Sequence, residues 1–405
     1  MKPIVRARRM KPVHSDIRGP LFVEAMKRQK QGIDILKLNT GNPATFGFGL
    51  PDSIKNALIE HMQDGVGYCD FKGMPQARQA ICDYETSKGI KGITPDDVFI
   101  GNGVSEVVSF ALTPLLNDGD EVLVPSPSYS LWGNSIYLED GKPVFYTCDE
   151  QANWYPDIQD IRSKITDKTK AIVIINPNNP TGVLYPKELL LEIIQIARES
   201  GLLIFADEIY DRLVMDGKQH ISLASLTEDV PVITLNGLSK SHCLCGYRCG
   251  WMVISGPREL TEDYRQGIIQ LTSLRLCANT MAQIVIPAAL DDMETPASMV
   301  RPCGRIYEQR EATVRELEKI DGLSFVKNDA AFYVFPKLDV KKFNITNDKQ
   351  FAHDLLDVTN ILLVPGSGFD WKDPDHFRIV MLPQADILSD AIRRMGTFLD
   401  GYKQK

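Results

Sequence analysis

Residues 171–176 read AIVIIN and residues 177–182 read PNNPTG, and this stretch decides the fold. Its first part is a continuous apolar run, which is typical of a strand whose two faces are both covered by helices. Similar runs recur on both sides of it along the chain. The predicted strands are Val98–Gly101, Glu121–Pro125, Val144–Thr147, Ala171–Asn176, Leu203–Ala206, Val232–Asn236 and Gly250–Ile254.

Helical patterns separate these strands. Apolar residues recur at helical spacing between Val104 and Leu115, and a second such pattern follows Pro186. This alternation predicts an α/β fold, with a large domain built on a mostly parallel, seven-stranded, doubly wound sheet. After about residue 290, a long charged helix, short strands and a closing helix from Asp386 predict a smaller α+β domain.

We expect the N- and C-terminal segments to form this small domain together. Residues 1–46 would be a basic arm and part of the small domain, 47–290 the large cofactor-binding domain, and 291–405 the rest of the small domain. Length is compatible with this division, since 405 residues exceed the size of one typical domain.

Composition excludes several classes of protein. The chain is 43% hydrophobic with a net charge of −8, which favours a globular fold and disfavours binding to nucleic acid. Its apolar runs are shorter than the roughly 18 residues that a membrane helix needs. Eight cysteines are too few for a disulfide scaffold, and we expect no metal site at Cys243, Cys245 and Cys249. The predicted location is the cytoplasm.

Candidate ligand-binding residues follow the predicted strands, because ligands of such sheets bind at the carboxyl ends of the strands. After the first strand, Gly101-Asn102-Gly103-Val104-Ser105 leads into a helix, a pattern that favours anion binding. It lacks the spacing of a nicotinamide fingerprint and the lysine of an ATP-binding loop, so another phosphorylated ligand is indicated. Asp207 and Lys240 follow two later strands.

Taken together, these residues resemble the fold-type-I, pyridoxal-phosphate-dependent aminotransferases. The residues that match the family pattern are Asn179, Asp207, Tyr210, Lys240 and Arg248. Asp207 lies 28 residues after Asn179, and Tyr210 lies 3 residues after Asp207. Lys240 lies 33 residues after Asp207, and Arg248 lies 8 residues after Lys240. The resemblance extends from about residue 16 to the C-terminus.

The resemblance implies a role for each matched residue. Lys240 would bond to the cofactor aldehyde and then carry the proton at the substrate Cα, while Asp207 would keep the pyridine nitrogen protonated. Tyr210 and Asn179 would donate hydrogen bonds to the phenolic oxygen of the ring. Lys240, Asp207 and Tyr210 are therefore the implied catalytic residues.

The same resemblance implies a complete cofactor site and a homodimer. Tyr129 would stack on the ring, and Tyr68 would reach the phosphate of the neighbouring subunit. The remaining phosphate contacts would come from Val104, Ser105, Ser239 and Arg248.

Four residues are the implied substrate contacts. Arg378 would bind the α-carboxylate, with Gly41 and Asn179 beside it. Arg18, in the N-terminal segment, would either bind the distal carboxylate of glutamate or form a salt bridge that fixes this segment. We also expect the Asn179–Pro180 peptide bond to be cis.

Within the family, Asp16-Ile-Arg-Gly-Pro20, Gly41-Asn-Pro43 and Gly67-Tyr-Cys-Asp70 most resemble the bacterial alanine transaminases. The implied reaction moves an amino group between L-alanine and 2-oxoglutarate. Ser15 stands where an aromatic residue is often found, which leaves other small or aromatic amino acids open as substrates. A β-C–S lyase on the same cofactor is a further alternative. A cofactor-sensing regulator is disfavoured, because no basic helix-turn-helix pattern precedes the α/β domain.

Overall fold

The structure is a computed structural model that describes residues 2–405. Its β-strands are β1 (Leu36–Lys37), β2 (Val98–Asn102), β3 (Glu121–Ser126), β4 (Lys142–Asp149), β5 (Tyr155–Pro156), β6 (Thr169–Ile175), β7 (Leu203–Asp207), β8 (Val232–Gly237), β9 (Cys249–Ser255), β10 (Leu323–Ser324), β11 (Tyr333–Val334), β12 (Lys337–Leu338), β13 (Ile361–Leu362), β14 (Val364–Pro365) and β15 (Phe377–Val380).

The α-helices of the same residues are α1 (Pro20–Lys30), α2 (Asp52–His61), α3 (Pro75–Ser87), α4 (Val104–Leu112), α5 (Leu131–Leu138), α6 (Ile158–Lys164), α7 (Lys187–Ser200), α8 (Leu238–Ser241), α9 (Arg258–Arg275), α10 (Thr280–Ile284), α11 (Ile286–Asp291), α12 (Glu294–Val300), α13 (Arg305–Leu317), α14 (Val340–Phe343), α15 (Asp348–Thr359) and α16 (Ala385–Leu399).

The large sheet has the strand order β2-β9-β8-β7-β6-β3-β4-β5. Six of its strands run in one direction, whereas β9 and β5 are antiparallel to their neighbours. The predicted fold class is confirmed. The sheet has eight strands rather than the predicted seven, because β5 is only two residues long and carries no recognisable hydrophobic pattern.

Both faces of this sheet are buried, as the apolar runs predicted. Ile172 and Ile174 of β6 pack on the face that α7 covers. Val173 and Ile175, which alternate with them, pack on the opposite face with α4.

The small sheets join the two ends of the chain. Strand β1 pairs in parallel with β13, and Leu38 packs into one apolar cluster with residues of α15 and α16. Strand β15 lies between β11 and β14, antiparallel to both. This pairing supports a small domain made from both termini, although the boundaries at residues 46 and 290 stay a prediction.

Within residues 2–405, no single helix is long and apolar enough to cross a membrane. The pair Arg258–Arg275 and Thr280–Asp291 reaches that length and composition only together, and it bends by 119°.

Candidate active site

The predicted ligand-binding residues meet at one edge of the large sheet. Strands β2, β3, β6, β7 and β8 share a direction, so their carboxyl ends and the segments that follow them lie at the same edge. Strand β9 runs the opposite way, and this brings Arg248, the residue before it, back to that edge. Five loops that are distant in sequence therefore contribute to one site.

Asp207 is a buried carboxylate at the end of β7. Its Oδ2 accepts a hydrogen bond of 3.1 Å from Trp132 Nε1, and its Oδ1 accepts one of 3.4 Å from the Ile209 N–H. Among residues 2–405, no cationic side chain lies within ion-pair distance of it. Burial raises the pKa of Asp207 to about 6, although the bonds from Trp132 and Ile209 lower it. A cationic group bound beside this carboxylate would hold it in its ionised form.

Lys240 lies on the short helix α8, directly after β8. Its Nζ donates a hydrogen bond of 3.0 Å to the Gly41 carbonyl and lies 5.8 Å from the centre of the Phe332 ring. A Cβ atom at Gly41 would lie only 2.4 Å from Tyr333 Oη, so the close approach of this loop requires glycine. The lysine amine is thus held at the sheet edge by a backbone oxygen.

Arg378 lies on β15 and is fully buried. Its Nη1 donates a hydrogen bond of 2.9 Å to Asn179 Oδ1, and its Nη2 donates to the Asn39 carbonyl. Tyr333 and Phe369 lie against its guanidinium group, at 4.5 and 4.6 Å between Cζ and the ring centres. Burial lowers the pKa of Arg378, and none of the described carboxylates forms an ion pair with it. A buried guanidinium without a carboxylate partner has the charge and geometry to accept a carboxylate ligand.

Tyr210 and Asn179 are buried next to these groups. Tyr210 Oη donates a hydrogen bond of 3.0 Å to Tyr333 Oη, and burial raises the pKa of Tyr210 well above its usual value. The Asn179–Pro180 bond is cis, which confirms the prediction made from the sequence.

The Gly103 loop and Arg248 form a cradle for an anion. Helix α4 begins after Gly103, whose φ of 84° lies in the left-handed region, and no side chain caps its first turn. A Cβ atom at Gly103 would lie 2.2 Å from Arg248 Nη2, and one at Gly250 would lie 2.4 Å from the Val104 nitrogen. Arg248 Nη1 donates to the Cys245 carbonyl, and within residues 2–405 no carboxylate pairs with it. Free N–H groups and an uncompensated guanidinium together favour a phosphate.

The other predicted contacts occupy different positions around this edge. Ser105 is on the first turn of α4, Ser239 is half-buried on α8, and Tyr129 is half-buried between β3 and α5. Tyr68 is 84% exposed, as a residue that reaches a second subunit would be. Arg18 is exposed and forms no ion pair within the described part of the chain, so the alternative of a salt bridge at Arg18 is not seen.

The residues around Arg18 fix the N-terminal segment instead. Asp16 forms an ion pair with Lys349 Nζ, and the Ile17 carbonyl accepts a hydrogen bond from Asn39 Nδ2. His14 exchanges two backbone hydrogen bonds with the side chain of Asn134 on α5. This anchoring leaves the Arg18 guanidinium free at the surface.

Sequence reasoning missed Trp132, Tyr333 and Phe369. Trp132 is three residues after Tyr129 in a segment that follows β3, so its position at a strand end was a usable signal. Tyr333 and Phe369 lie in the small sheets and reach the site only through the tertiary fold, which no local pattern indicates.

Two groups of side chains have the spacing for a metal ion, but each already contains a cation of the protein. Lys88 Nζ lies 2.7 Å from Glu208 and 3.1 Å from Asp211, which form one group with His220. The other group, Glu24, His353 and Asp357, includes Arg28 as the ion-pair partner of both acids.

Comparison with known proteins gives one consistent answer. Residues 33–392 match the family model described as aminotransferase class I and II. The chain is 49% identical to a glutamate-pyruvate aminotransferase of Haemophilus influenzae and 45% identical to an alanine aminotransferase of Mycobacterium tuberculosis. It is covered completely in both cases, together with 100% and 94% of the two relatives.

Solved structures agree with this result. A crystal structure of an Escherichia coli aminotransferase superimposes with a TM-score of 0.98 at 47% identity, over the whole of both chains. The alanine aminotransferase of Pyrococcus furiosus superimposes with a TM-score of 0.93 at 40% identity, over 98% of this chain and 100% of that one. By its sequence, its fold and its matching residues, the chain belongs to the aminotransferase class I and II family.

Proposed function

We propose that this chain transfers the amino group between L-alanine and 2-oxoglutarate, giving pyruvate and L-glutamate, by a ping-pong mechanism on pyridoxal 5'-phosphate. One observation carries the proposal. In the loop Asn39–Gly41, the Asn39 carbonyl accepts a hydrogen bond from Arg378, and the Gly41 carbonyl accepts one from Lys240. An amine and a carboxylate-binding guanidinium are thus held side by side, as the chemistry of an α-amino acid requires.

The residues at the sheet edge fit pyridoxal phosphate, on which this family generally depends. Asp207 is a buried acid without a cation and suits the protonated ring nitrogen. The α4 N-terminus, Arg248 and the hydroxyls of Ser105 and Ser239 suit the phosphate. Tyr129 would stack on the ring.

Each polar residue of the site has a separate task. When bound, pyridoxal phosphate draws electrons away from the substrate Cα, which makes the Cα–H bond acidic. Lys240 Nζ takes and returns that proton as the general base and acid. Tyr210 and Asn179 would donate hydrogen bonds to the phenolic oxygen, and the Asp207 carboxylate would keep the ring nitrogen protonated.

Substrate binding is assigned to Arg378, Gly41, Asn179 and Arg18. Arg378 would bind the α-carboxylate as a bidentate pair beside Asn179 and the Gly41 backbone. Arg18 would bind the distal carboxylate of glutamate and 2-oxoglutarate and would remain in solvent when alanine is bound. Relatives named for glutamate and pyruvate, at 49% and 47% identity, support this pair of substrates.

We also propose a cytoplasmic homodimer with shared active sites. Exposed apolar side chains support a subunit interface near Tyr68, among them Val66, which is 76% exposed, and Leu274, which is 82% exposed. Residues 47–290 would form the large domain, with the segments on both sides forming the small one.

The proposal is tested with Lys240→Ala in the protein loaded with pyridoxal phosphate. We expect transamination to be abolished and the cofactor to remain bound, but no longer as an adduct that borohydride reduces. Lys218→Ala, which changes an exposed lysine paired with Asp329, is the matched control and should behave as wild type. Wild-type turnover in Lys240→Ala would refute the assignment.

A spectroscopic screen distinguishes the proposed reaction from the alternatives. Absorption spectra of the wild-type protein with single amino acids should show conversion of the cofactor by both alanine and glutamate. In a β-C–S lyase, glutamate would not convert the cofactor. Conversion of the cofactor by other amino acids in preference to alanine would contradict the proposed substrate.

A further inference from the structure

A closed ring of four charged side chains lies near Arg378, outside the active site itself. His376 Nδ1 is 2.6 Å from Asp375 Oδ1, and its Nε2 is 3.4 Å from Glu150 Oε1. Lys337 Nζ completes the ring, at 3.0 Å from Glu150 Oε2 and 3.5 Å from Asp375 Oδ2. We call Glu150, Lys337, Asp375 and His376 the His376 cluster.

The His376 cluster joins the large sheet to the small sheets. Glu150 directly follows β4 of the large sheet, whereas Lys337 is on β12 and His376 immediately precedes β15. The ring of Trp154, near the end of β4, meets the His376 ring edge-on at 5.1 Å. A change of charge in this cluster therefore acts on the contact between the two sheet systems.

Two routes connect His376 to Arg378. The first is β15 itself, because the two residues are separated by one position and their side chains lie on the same side of the strand. The second consists of aromatic contacts: His376 stacks on Phe335 at 4.9 Å, Phe335 meets Phe369 at 5.9 Å, and Phe369 lies 4.6 Å from the Arg378 guanidinium. The aromatic rings that pack against the Arg378 guanidinium are thus in contact with His376 through Phe335.

We propose that the imidazolium form of His376 is a positioning residue for Arg378, and that it fixes the guanidinium for amino-acid carboxylates by joining Glu150 to Asp375. The inference rests on the proposed function, in which Arg378 binds the substrate α-carboxylate. A protonated His376 makes the cluster neutral, with two cations and two anions. A neutral imidazole leaves one buried negative charge uncompensated, which loosens the contact.

The surroundings of His376 favour the protonated form. Burial lowers the pKa of His376, but the hydrogen bond with Asp375 and the nearby Glu150 carboxylate together raise it by more, so the pKa lies above its usual value. Burial raises the pKa of Asp375, but His376, with smaller contributions from Trp371 and Lys337, lowers it to about 2. The other groups packed against the ring are Phe335, Trp154 and Trp371, which do not titrate.

The direction of the pH effect follows from this shift. A histidine with a raised pKa in the folded protein stabilises the contact fully below the unfolded value of 6.5. The contribution is lost as the pH rises through the folded pKa. Affinity for the amino-acid substrate should weaken in that same alkaline range.

The test is His376→Gln, with KM and kcat for L-alanine measured in the loaded enzyme from pH 6.5 to 9. At pH 6.5 we expect KM to rise roughly 5–20-fold and kcat to change less than about twofold, because only carboxylate binding is affected. The ratio of the KM of His376→Gln to the KM of the wild-type enzyme should fall toward one as the pH rises. Glu150→Gln keeps the shape of the cluster and should shift KM in the same direction.

His353→Gln is the matched control. His353 also lies between two carboxylates, Glu24 and Asp357, but it is outside the His376 cluster and away from Arg378. Its KM ratio should stay near one at every pH. A separate measurement is the NMR titration of the His376 imidazole in the protein without added cofactor, with a midpoint expected above 6.5.

Three results would overturn the inference: an unchanged KM in both variants at pH 6.5, a loss confined to kcat, or an NMR midpoint below 6.5. Arg378→Ala separates the two proposals. If Arg378→Ala leaves KM unchanged, the proposed role of Arg378 fails. If it raises KM while His376→Gln does not, only the positioning role fails.

Discussion

At the scale of single residues, Asp207 is an acid buried at the sheet edge without a cation beside it. One pKa unit corresponds to about 1.4 kcal/mol, so keeping Asp207 ionised above pH 6 costs the cofactor-free folded state roughly 3 kcal/mol. Below the unfolded pKa of 3.8 the residue is protonated in both states, and the cost disappears. The buried Asp207 carboxylate therefore destabilises the folded protein when no cationic group is bound beside it.

Asp207→Asn should consequently stabilise the cofactor-free protein while abolishing most of its activity. We expect a gain of roughly 3 kcal/mol in the free energy of unfolding at pH 8, which shrinks toward zero as the pH falls to 4. Urea unfolding measures it, with Asp167→Asn at an exposed acid as the control. An absent gain at pH 8, or retained turnover, would contradict the role of Asp207.

Arg18, unlike the buried Asp207, is exposed, and it forms no ion pair in residues 2–405. Arg18→Ala should raise KM for glutamate and 2-oxoglutarate roughly 10–100-fold, a loss of about 1.5–3 kcal/mol for a charged hydrogen bond. Alanine and pyruvate should be much less affected. Steady-state kinetics with both pairs measures this effect, and Arg9→Ala controls for attachment of the same arm to Asp140. Equal damage to both pairs would mean that Arg18 is structural.

At the scale of elements, ion pairs with Lys88 fix the segment that follows β7. Asp207, the last residue of β7, and Tyr210 lie at the candidate active site, whereas Glu208 and Asp211 contact Lys88 Nζ at 2.7 and 3.1 Å. Glu85 at the end of α3 is the third acid, at 2.8 Å. Burial raises the pKa of Glu85, which lessens the repulsion among the three carboxyl groups.

Lys88→Met should therefore destabilise the protein strongly, by about 3–5 kcal/mol, because it leaves buried carboxylates without their cation. Chemical unfolding of the variant and the wild type measures the difference. Lys91→Met removes an exposed lysine that pairs with Glu228, and it should change stability by less than about 1 kcal/mol. Similar effects of the two substitutions would show that the buried network contributes no more than a surface pair.

The elements that sequence patterns predicted best are the strands covered on both faces. Strands β6 and β7 contain the continuous apolar runs Ala171–Ile175 and Leu203–Ala206, so the hydrophobic pattern alone identifies them and their ends locate Asn179 and Asp207. Two-residue strands such as β5 and β12 have no period to detect, and they exist only because another strand lies beside them. Trp132 could be located from the sequence because it follows the end of β3. Tyr333 could not, because it lies on a two-residue strand and reaches the site only through tertiary packing.

At the scale of the whole molecule, the proposed dimer makes each active site a joint product of two chains. Tyr68→Ala should weaken cofactor binding, and Lys240→Ala should remove the reacting amine. A mixed dimer of the two variants would hold one site with both native residues. At limiting cofactor, a refolded equimolar mixture should recover about a quarter of wild-type activity, as random pairing predicts. Activity no higher than the mean of the two separate variants would refute shared sites.

The edge position of β2 also affects how the molecule is made. Among the described strands, β2 pairs only with β9, where Asn102 lies opposite Cys249, although the ribosome produces the two strands far apart in time. Closing so long a loop is slow, and the Gly103 turn and Arg248 meet only after it closes. A nascent chain that ends before β9 would lack the cradle that the Gly103 loop forms with Arg248. If this cradle binds the cofactor phosphate as proposed, only chains whose synthesis has passed β9 can bind the cofactor there.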